Sequence, residues 1–325
     1  MRKLVSTSRR DAASAVLDSI HFKSTIFCRS KLSAPWGFAV AGRDFATFHV
    51  VIKGRCLLEV RGIDEKAWLS AGDVVILPHG HPHVVRDAPT SKATRLEVLI
   101  DEATSDGKGV LETGGRGATT VLICGGLHFE ARTVNPLFAT LPSILHLRAG
   151  AHSSTRWLKP VLGFIAQESK TARPGRDAVI TRLADIFFIE AVRNFLSGSD
   201  ADKSRLLLAL EEPRIGASLA MVHRRPEADW SVEALARKAG MSRTAFSVRF
   251  RELVGEPPLR YVTRCRIDKA VSLLRSSAAT IPQIGERVGY GSEAAFYRAF
   301  KRCMGKPPAA FRSPPSKKGR AIVNR

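Results

Sequence analysis

Trp230-Ser-Val-Glu-Ala-Leu-Ala-Arg-Lys-Ala-Gly-Met241, then Ser242-Arg-Thr-Ala-Phe-Ser-Val-Arg-Phe-Arg251, then Gly255-Glu-Pro-Pro258, is a pattern the chain writes twice. The second copy runs Thr280-Ile-Pro-Gln-Ile-Gly-Glu-Arg-Val-Gly-Tyr290, Gly291, Ser292-Glu-Ala-Ala-Phe-Tyr-Arg-Ala-Phe-Lys301 and Gly305-Lys-Pro-Pro308. Val232, Leu235, Ala239 and Gly240 match Ile281, Ile284, Val288 and Gly289 at an offset of 49. After the extra Gly291, Ser242, Phe246, Phe250, Gly255 and Pro257-Pro258 match their counterparts at an offset of 50. Each copy describes two helices and a tight turn. Apolar residues fill one face of the first helix, Gly240 or Gly289 breaks it, and Ser242 or Ser292 caps the second. Gly255 or Gly305 and the prolines after it stop the second helix. This predicts helix-turn-helix motifs over residues 231–252 and 281–303. An ordinary hairpin repeat is the alternative, but a solenoid needs more than two copies.

The helical period separates inner from outer faces. Phe246, Phe250 and Leu253 fall on one side of the first copy's second helix and are expected in the core. Thr244, Ser247, Val248 and Arg251 fall opposite, with Arg243 at the helix start. In the other copy Phe296, Phe300 and Cys303 face inward. Ala294, Tyr297, Arg298 and Lys301 face outward, with Glu293 at the start. Arg298 suits a bidentate pair to guanine, Lys301 a phosphate, and Val248 a thymine methyl. A linker helix, Leu259 to Leu274, is expected to hold both reading helices in adjacent major grooves, about one turn (34 Å) apart.

Charge supports that assignment. From Glu211 to Arg325 there are 23 basic and 10 acidic residues, a net of +13; the first 210 positions carry 28 and 20, a net of +8. The last third is about three times more positive per residue, which points to a polyanionic partner. Hydrophobic residues make up 44% and charged residues 25% of the 325, which excludes a disordered or collagen-like chain. The longest uncharged stretch, Thr133 to Leu147, spans 15 residues and holds two prolines, too little for a membrane span. A cytoplasmic location with no membrane contact is expected. Five cysteines without close spacing argue against a disulfide framework or a four-thiolate zinc site.

The first 150 residues have a different rhythm. Phe48–Ile52, Cys56–Val60, Val74–Leu77, Arg95–Ile100 and Thr120–Ile123 are predicted as strands, separated by turns at Gly54, Gly62, Gly72-Asp73 and Pro78. That spacing suits an antiparallel barrel or sandwich. Asp101 to Gly117 reads as a loop. A helical stripe follows from Asp177 to Leu196, fit either for intramolecular core or for a homodimer face.

On these residues the C-terminal region, from about Pro213 to Arg312, resembles the AraC/XylS family of bacterial transcriptional regulators. The resemblance rests on both hairpin copies and the closing Val288-Gly-Tyr, Phe300-Lys, Pro307-Pro and Phe311-Arg pattern. It implies that Thr244, Ser247, Val248, Ala294, Tyr297 and Arg298 contact bases of double-stranded DNA. The first copy departs by presenting small side chains at Thr244 and Ser247. The N-terminal half resembles the cupin-type sensor domains of one branch of that family. Gly72-Asp-Val-Val-Ile-Leu-Pro78-His-Gly80-His-Pro-His83 fits the second cupin motif, and Trp36-Gly37 and Glu168 to Gly175 are similar to that branch.

The expected architecture is therefore α+β and multidomain. Residues 1–155 form a cupin-like β-barrel with flanking helices, and 156–210 a helical linker and dimerisation region. Residues 211–313 form an all-α DNA-binding domain with two helix-turn-helix motifs, and 314–325 a disordered basic tail. The function implied is a transcriptional regulator, an activator that partners RNA polymerase and answers a small-molecule or oxidant effector. The alternative is a metal-dependent cupin enzyme with an accessory DNA-binding domain. The usual first cupin motif is absent, so no metal, cofactor or catalytic residue is expected. His49, His81 and His83 are the only metal candidates, and they read as turn and surface residues. By resemblance to hypochlorite-responsive members, Cys28 and Cys124 are candidate redox-sensing thiols, with Arg29 favouring the Cys28 thiolate. Two buried small hydrophobes are the bland alternative.

Overall fold

Strand-forming residues dominate the first half of the chain and helix-forming residues the second. A computed structural model describes residues 12, 14–18, 22–64, 66–104, 110–129, 138, 141–149, 157–168, 174–196 and 205–312. Two units emerge: one from Phe22–Phe129 with Leu141–Ser199, the other from Met1–His21, Glu130–Thr140 and Asp200–Arg325. The tail from residue 313 and the 150–156 segment lie outside the described residues.

The first unit contains two sheets. The larger is built from β1 (Phe22–Ser33), β3 (Ala46–Lys53), β6 (Val74–Leu77), β9 (Val110–Gly114), β10 (Thr119–Phe129) and β11 (Leu145–Leu147), in the order β11-β6-β3-β10-β1-β9. The smaller is built from β2 (Gly37–Val40), β4 (Arg55–Val60), β5 (Lys66–Ser70), β7 (His83–Arg86) and β8 (Thr94–Arg95), in the order β5-β4-β7-β2-β8. One apolar core draws Leu32, Val51, Val75 and Leu122 from the larger sheet and Phe38, Leu58, Leu69 and Val85 from the smaller. Pairing is antiparallel except for β1 with β9 and β2 with β8.

Several expectations need correction. Arg95–Ile100, expected as a strand, is mostly helix α1 (Leu96–Thr104). Leu96 and Leu99 recur at helical spacing and bury against the core, a period that a six-residue apolar run does not reveal by composition. The stretch Asp101–Gly117, expected as a loop, contains β9, which exists because it pairs in parallel with distant β1. Cys28 lies within β1, where no strand is predicted, and Cys124 within β10, which runs well beyond the predicted Thr120–Ile123.

Two helices complete this unit, α2 (Leu158–Glu168) and α3 (Arg176–Leu196). Ile180, Ala184, Phe187, Phe188, Ala191 and Val192 form the buried stripe of α3. Phe188 stacks against Phe129 of β10 at 5.0 Å, and Asp185 accepts a hydrogen bond from Ser24 of β1.

The second unit is helical: α4 (Arg205–Glu211), α5 (Pro213–Arg224), α6 (Val232–Lys238), α7 (Arg243–Val254), α8 (Pro258–Ser276), α9 (Ile281–Arg287), α10 (Glu293–Met304) and a closing 3-10 turn at Pro308–Phe311. Helix α8 serves two cores. Tyr261 meets Phe250 edge-on at 5.7 Å, while Ile267, Ala270, Val271 and Leu274 join Ile284, Val288, Phe296 and Phe300.

Candidate nucleic-acid interface and the core of the β unit

Each reading helix begins at a serine whose hydroxyl accepts the third backbone N–H. Ser242 accepts from Ala245, and Ser292 from Ala295. Each ends at a glycine in the left-handed region, Gly255 at φ 84° and Gly305 at φ 72°. Phe246 and Phe250 in one, Phe296 and Phe300 in the other, are fully buried and pin the rotation of each helix. The opposite faces are thereby turned outward.

Arg243, Thr244, Val248 and Arg251 are exposed on α7, and Ser247 is half-buried. Glu293, Ala294, Tyr297, Arg298 and Lys301 are all exposed on α10. Val248 is 53% and Tyr297 41% accessible, which leaves apolar surface on each outer face. Arg243 pairs with Glu233 of the preceding helix at 2.8 Å. Among the described residues no ion pair engages Arg251, Arg298 or Lys301. Cys303, expected in the core, is only half-buried, because the helix ends one turn beyond the Phe300 contact.

Residues outside the motifs hold the two hairpins on one frame. The Arg266 guanidinium donates to the carbonyls of Pro226 at 2.8 Å and Ala228 at 2.9 Å, and lies over the Tyr290 ring at 5.5 Å. Lys269 pairs with Glu227 at 2.9 Å, and the Glu227 carboxyl is held below the usual range against its own desolvation by that ammonium. Gly289, at φ 88°, packs so closely on the Glu227 backbone that a Cβ there meets the carbonyl oxygen at 2.4 Å. Motif reading does not find this clamp. The only hint in the sequence is the glycine itself.

The β unit has a polar string inside its apolar core. His49 and His83, expected as turn and surface residues, are buried, because their strands point them between the two sheets. His49 Nε2 lies 2.7 Å from His83 Nε2, and His49 Nδ1 lies 3.1 Å from Cys124 Sγ. His83 Nδ1 donates to the His81 carbonyl at 2.8 Å. Burial holds His49 well below the ordinary imidazole range and lowers His83 to about 4, so both are neutral. Cys28 stands opposite Cys124 in the β1–β10 register, and Cys28 Sγ lies 3.4 Å from Ser30 Oγ. Cys28 and then burial raise the Cys124 thiol, so it is protonated at rest, and Arg29 is not among the groups that shift Cys28.

A metal site needs three or four donors converging on one point. Here His49 Nε2 and His83 Nε2 meet at one point, but Cys124 Sγ lies against the other nitrogen of His49 and not at that point. Among the described residues no group of three or more His, Cys, Asp or Glu side chains is arranged to hold a metal ion.

Two capped hairpins presenting exposed, basic outer faces define a helix-turn-helix DNA-binding protein, and known proteins agree. Residues 11–197 match the family described as Cupin, and residues 235–313 match the family described as a helix-turn-helix domain. The chain is 33% identical over 308 residues to the HTH-type transcriptional regulator AlkR of Acinetobacter baylyi, across 93% of this chain and 99% of that one. It is 35% identical to a putative AraC-like transcription regulator of Streptomyces lividans, across 89% and 95%. It is 30% identical to the RCS-specific HTH-type transcriptional activator RclR of Escherichia coli, across 93% and 97%. The chain belongs to the AraC-type transcriptional regulators with a cupin-type N-terminal domain. No helix among the described residues is long and apolar enough to cross a membrane.

Proposed function

We propose that this regulator reads its operator with the outward faces of both second helices. On the first these are Arg243, Thr244, Ser247, Val248 and Arg251; on the second, Glu293, Ala294, Tyr297, Arg298 and Lys301. The observation that carries the reading is Arg298, an exposed guanidinium without an ion-pair partner among the described residues, on a helix whose rotation the buried phenylalanines set. In this reading Arg298 contacts a guanine edge. Arg298→Ala then weakens binding to the operator by about 1–3 kcal/mol and relaxes the preference at one base pair. Gel-shift titrations against operator and random DNA check it, with the operator found by footprinting upstream of the chain's own gene. An equal loss on both DNAs contradicts base reading.

The chain acts, in this proposal, as a cytoplasmic activator that contacts RNA polymerase, not as an enzyme. Only two donors, His49 Nε2 and His83 Nε2, converge at one point among the described residues, which supports that choice over a metal-dependent cupin enzyme. A homodimer through α3 is supported by Val179, Ile186 and Ile189, exposed on the face away from its buried stripe. A monomer by sedimentation at micromolar concentration contradicts that part.

The signal is proposed to be an oxidant acting on Cys28 and Cys124. The register that sets the two thiols directly opposite each other favours it over a purely structural role. Cys28→Ser and Cys124→Ser are each expected to abolish oxidant-dependent promoter output. An unchanged response rejects the idea.

A further inference from the structure

The string inside the β unit has its proton positions dictated by one carbonyl. His83 Nδ1 lies 2.8 Å from the His81 carbonyl oxygen, which only accepts, so Nδ1 carries the proton and Nε2 is bare. That bare nitrogen lies 2.7 Å from His49 Nε2, which must therefore donate, leaving His49 Nδ1 bare in turn. Cys124 Sγ lies 3.1 Å from it, so the thiol proton points at His49. The result is a nucleophile, a base within reach, and a third group that holds the base in one tautomer.

We propose that His49 accepts the Cys124 proton and makes Cys124 the attacking sulfur when the Cys28–Cys124 pair is oxidised, with His83 as the positioning residue. This rests on the oxidant reading given above. In the first step the Cys124 proton passes to His49 Nδ1 while the sulfur attacks the terminal oxygen of a hydroperoxide. The S–O bond forms, the O–O bond breaks, and the departing alkoxide takes the proton from His49. Cys28 then attacks the sulfenic acid on Cys124. An S–S bond forms, the S–O bond breaks, and hydroxide leaves with the Cys28 proton as water. Two thiols and one hydroperoxide give one disulfide, one alcohol and one water.

Cys28 and Cys124 are direct register partners, beside an irregularity between Ile26 and Cys28, so the product joins opposed strands. Directly opposed antiparallel residues have Cα atoms about 4.5 or 5.5 Å apart, inside the roughly 4.4–6.8 Å that disulfides span. The groups around the transfer are few. His49 faces His83 from β7 and Cys124 from β10, with the Phe38 ring against it. Cys124 also faces Cys28 from β1 and the field of Cys56 from β4. The Asp73 carboxylate acts on Cys56, and it accepts from the Ser70 and Ala149 backbone and from His146. The resting pair is neutral, so proton transfer is coupled to attack and the thiol stays quiet without an oxidant. Oxidation removes the proton aimed at His49 Nδ1 and leaves a buried acceptor empty, which carries the change into β3 and β7.

Full-length protein treated with hydrogen peroxide tests this, with disulfide formation followed by mass spectrometry from about pH 6 to about pH 10. The wild-type rate is expected to vary little with pH. His49→Gln is expected to be about a hundredfold slower near neutrality and to recover as alkali removes the thiol proton. His83→Asn should show a smaller loss with the same pH shape. In Cys28→Ser, dimedone should label Cys124. A His49→Gln rate equal to wild type at every pH, with the disulfide still forming, overturns the base role but leaves the oxidant reading standing. Dimedone labelling of Cys28 in Cys124→Ser, with none of Cys124 in Cys28→Ser, also overturns it. Failure of wild type to form any disulfide sinks the oxidant reading and this proposal together. If His49→Gln does not fold, the His83→Asn profile and the dimedone site decide.

Discussion

In the first hairpin the reading helix shows solvent Thr244, Val248 and Arg251, with Ser247 half-covered; in the second it shows Ala294, Tyr297, Arg298 and Lys301. Beneath these faces the same two phenylalanines meet, tilted at 5.5 Å in the first copy and edge-on at 5.7 Å in the second. The supports differ. Phe250 leans on Tyr261, whose hydroxyl is 2.6 Å from buried His223, whereas Phe300 leans on Phe311. Ala236 is buried in the first copy, but its counterpart Gly285 lets Phe296 approach to 3.1 Å of where a Cβ would sit. A duplicated scaffold thus keeps its core and caps, while the outer residues are free to diverge toward different base pairs. Only the second copy exposes a large aromatic ring, Tyr297, beside a guanidinium that has no ion pair among the described residues, so most of the discrimination is expected there.

The sharpest way to break that comparison is in the cores. Phe246→Ala and Phe296→Ala should each cost about 3–5 kcal/mol in denaturant unfolding, because each leaves a cavity beneath a reading helix. A far smaller loss in one copy would show that it does not share the scaffold. The turns should then separate the copies. Gly289→Ala should cost about 3 kcal/mol, since it combines positive φ with the Glu227 carbonyl, and Gly240→Ala about 1 kcal/mol, since no atom lies within 4 Å. Equal losses would mean that the Glu227 contact relaxes freely.

The outer faces give the next test. Thr244→Ala should weaken operator binding by less than about 1 kcal/mol, below the effect of Arg298→Ala, because a single hydroxyl offers no bidentate pair. A reversed order in gel-shift titrations would move the specificity to the first copy. The caps should not distinguish the copies at all. Ser242→Ala and Ser292→Ala should each cost about 1 kcal/mol of stability, measured by the same unfolding.

Much of the interface was legible beforehand. Ser242 and Ser292 announce helix starts, Gly255 and Gly305 announce stops, and the phenylalanine spacing separates inner from outer side chains. These are local signals, read within one or two turns. The Arg266–Tyr290–Glu227 clamp was not legible, because it joins positions that only the folded α8 brings together. The β unit fared less well for the same reason. Leu96 and Leu99 read as strand until burial shows a helical period, and β9 exists only through its pairing with β1. His49 and His83 read as turn and surface residues, even though His49 falls in the predicted strand Phe48–Ile52, because nothing near them in the chain reveals that their strands face each other.

The sequence by itself determined the duplicated hairpins, the exposed basic faces and the family, since capping, turn formation and helical periodicity act over a few residues. Tertiary structure alone decided the frame around Gly289 and the alignment of Cys28, Cys124, His49 and His83. Those depend on which strands and helices become neighbours. Strand register and helix docking are set by burial across long separations, which no local pattern encodes.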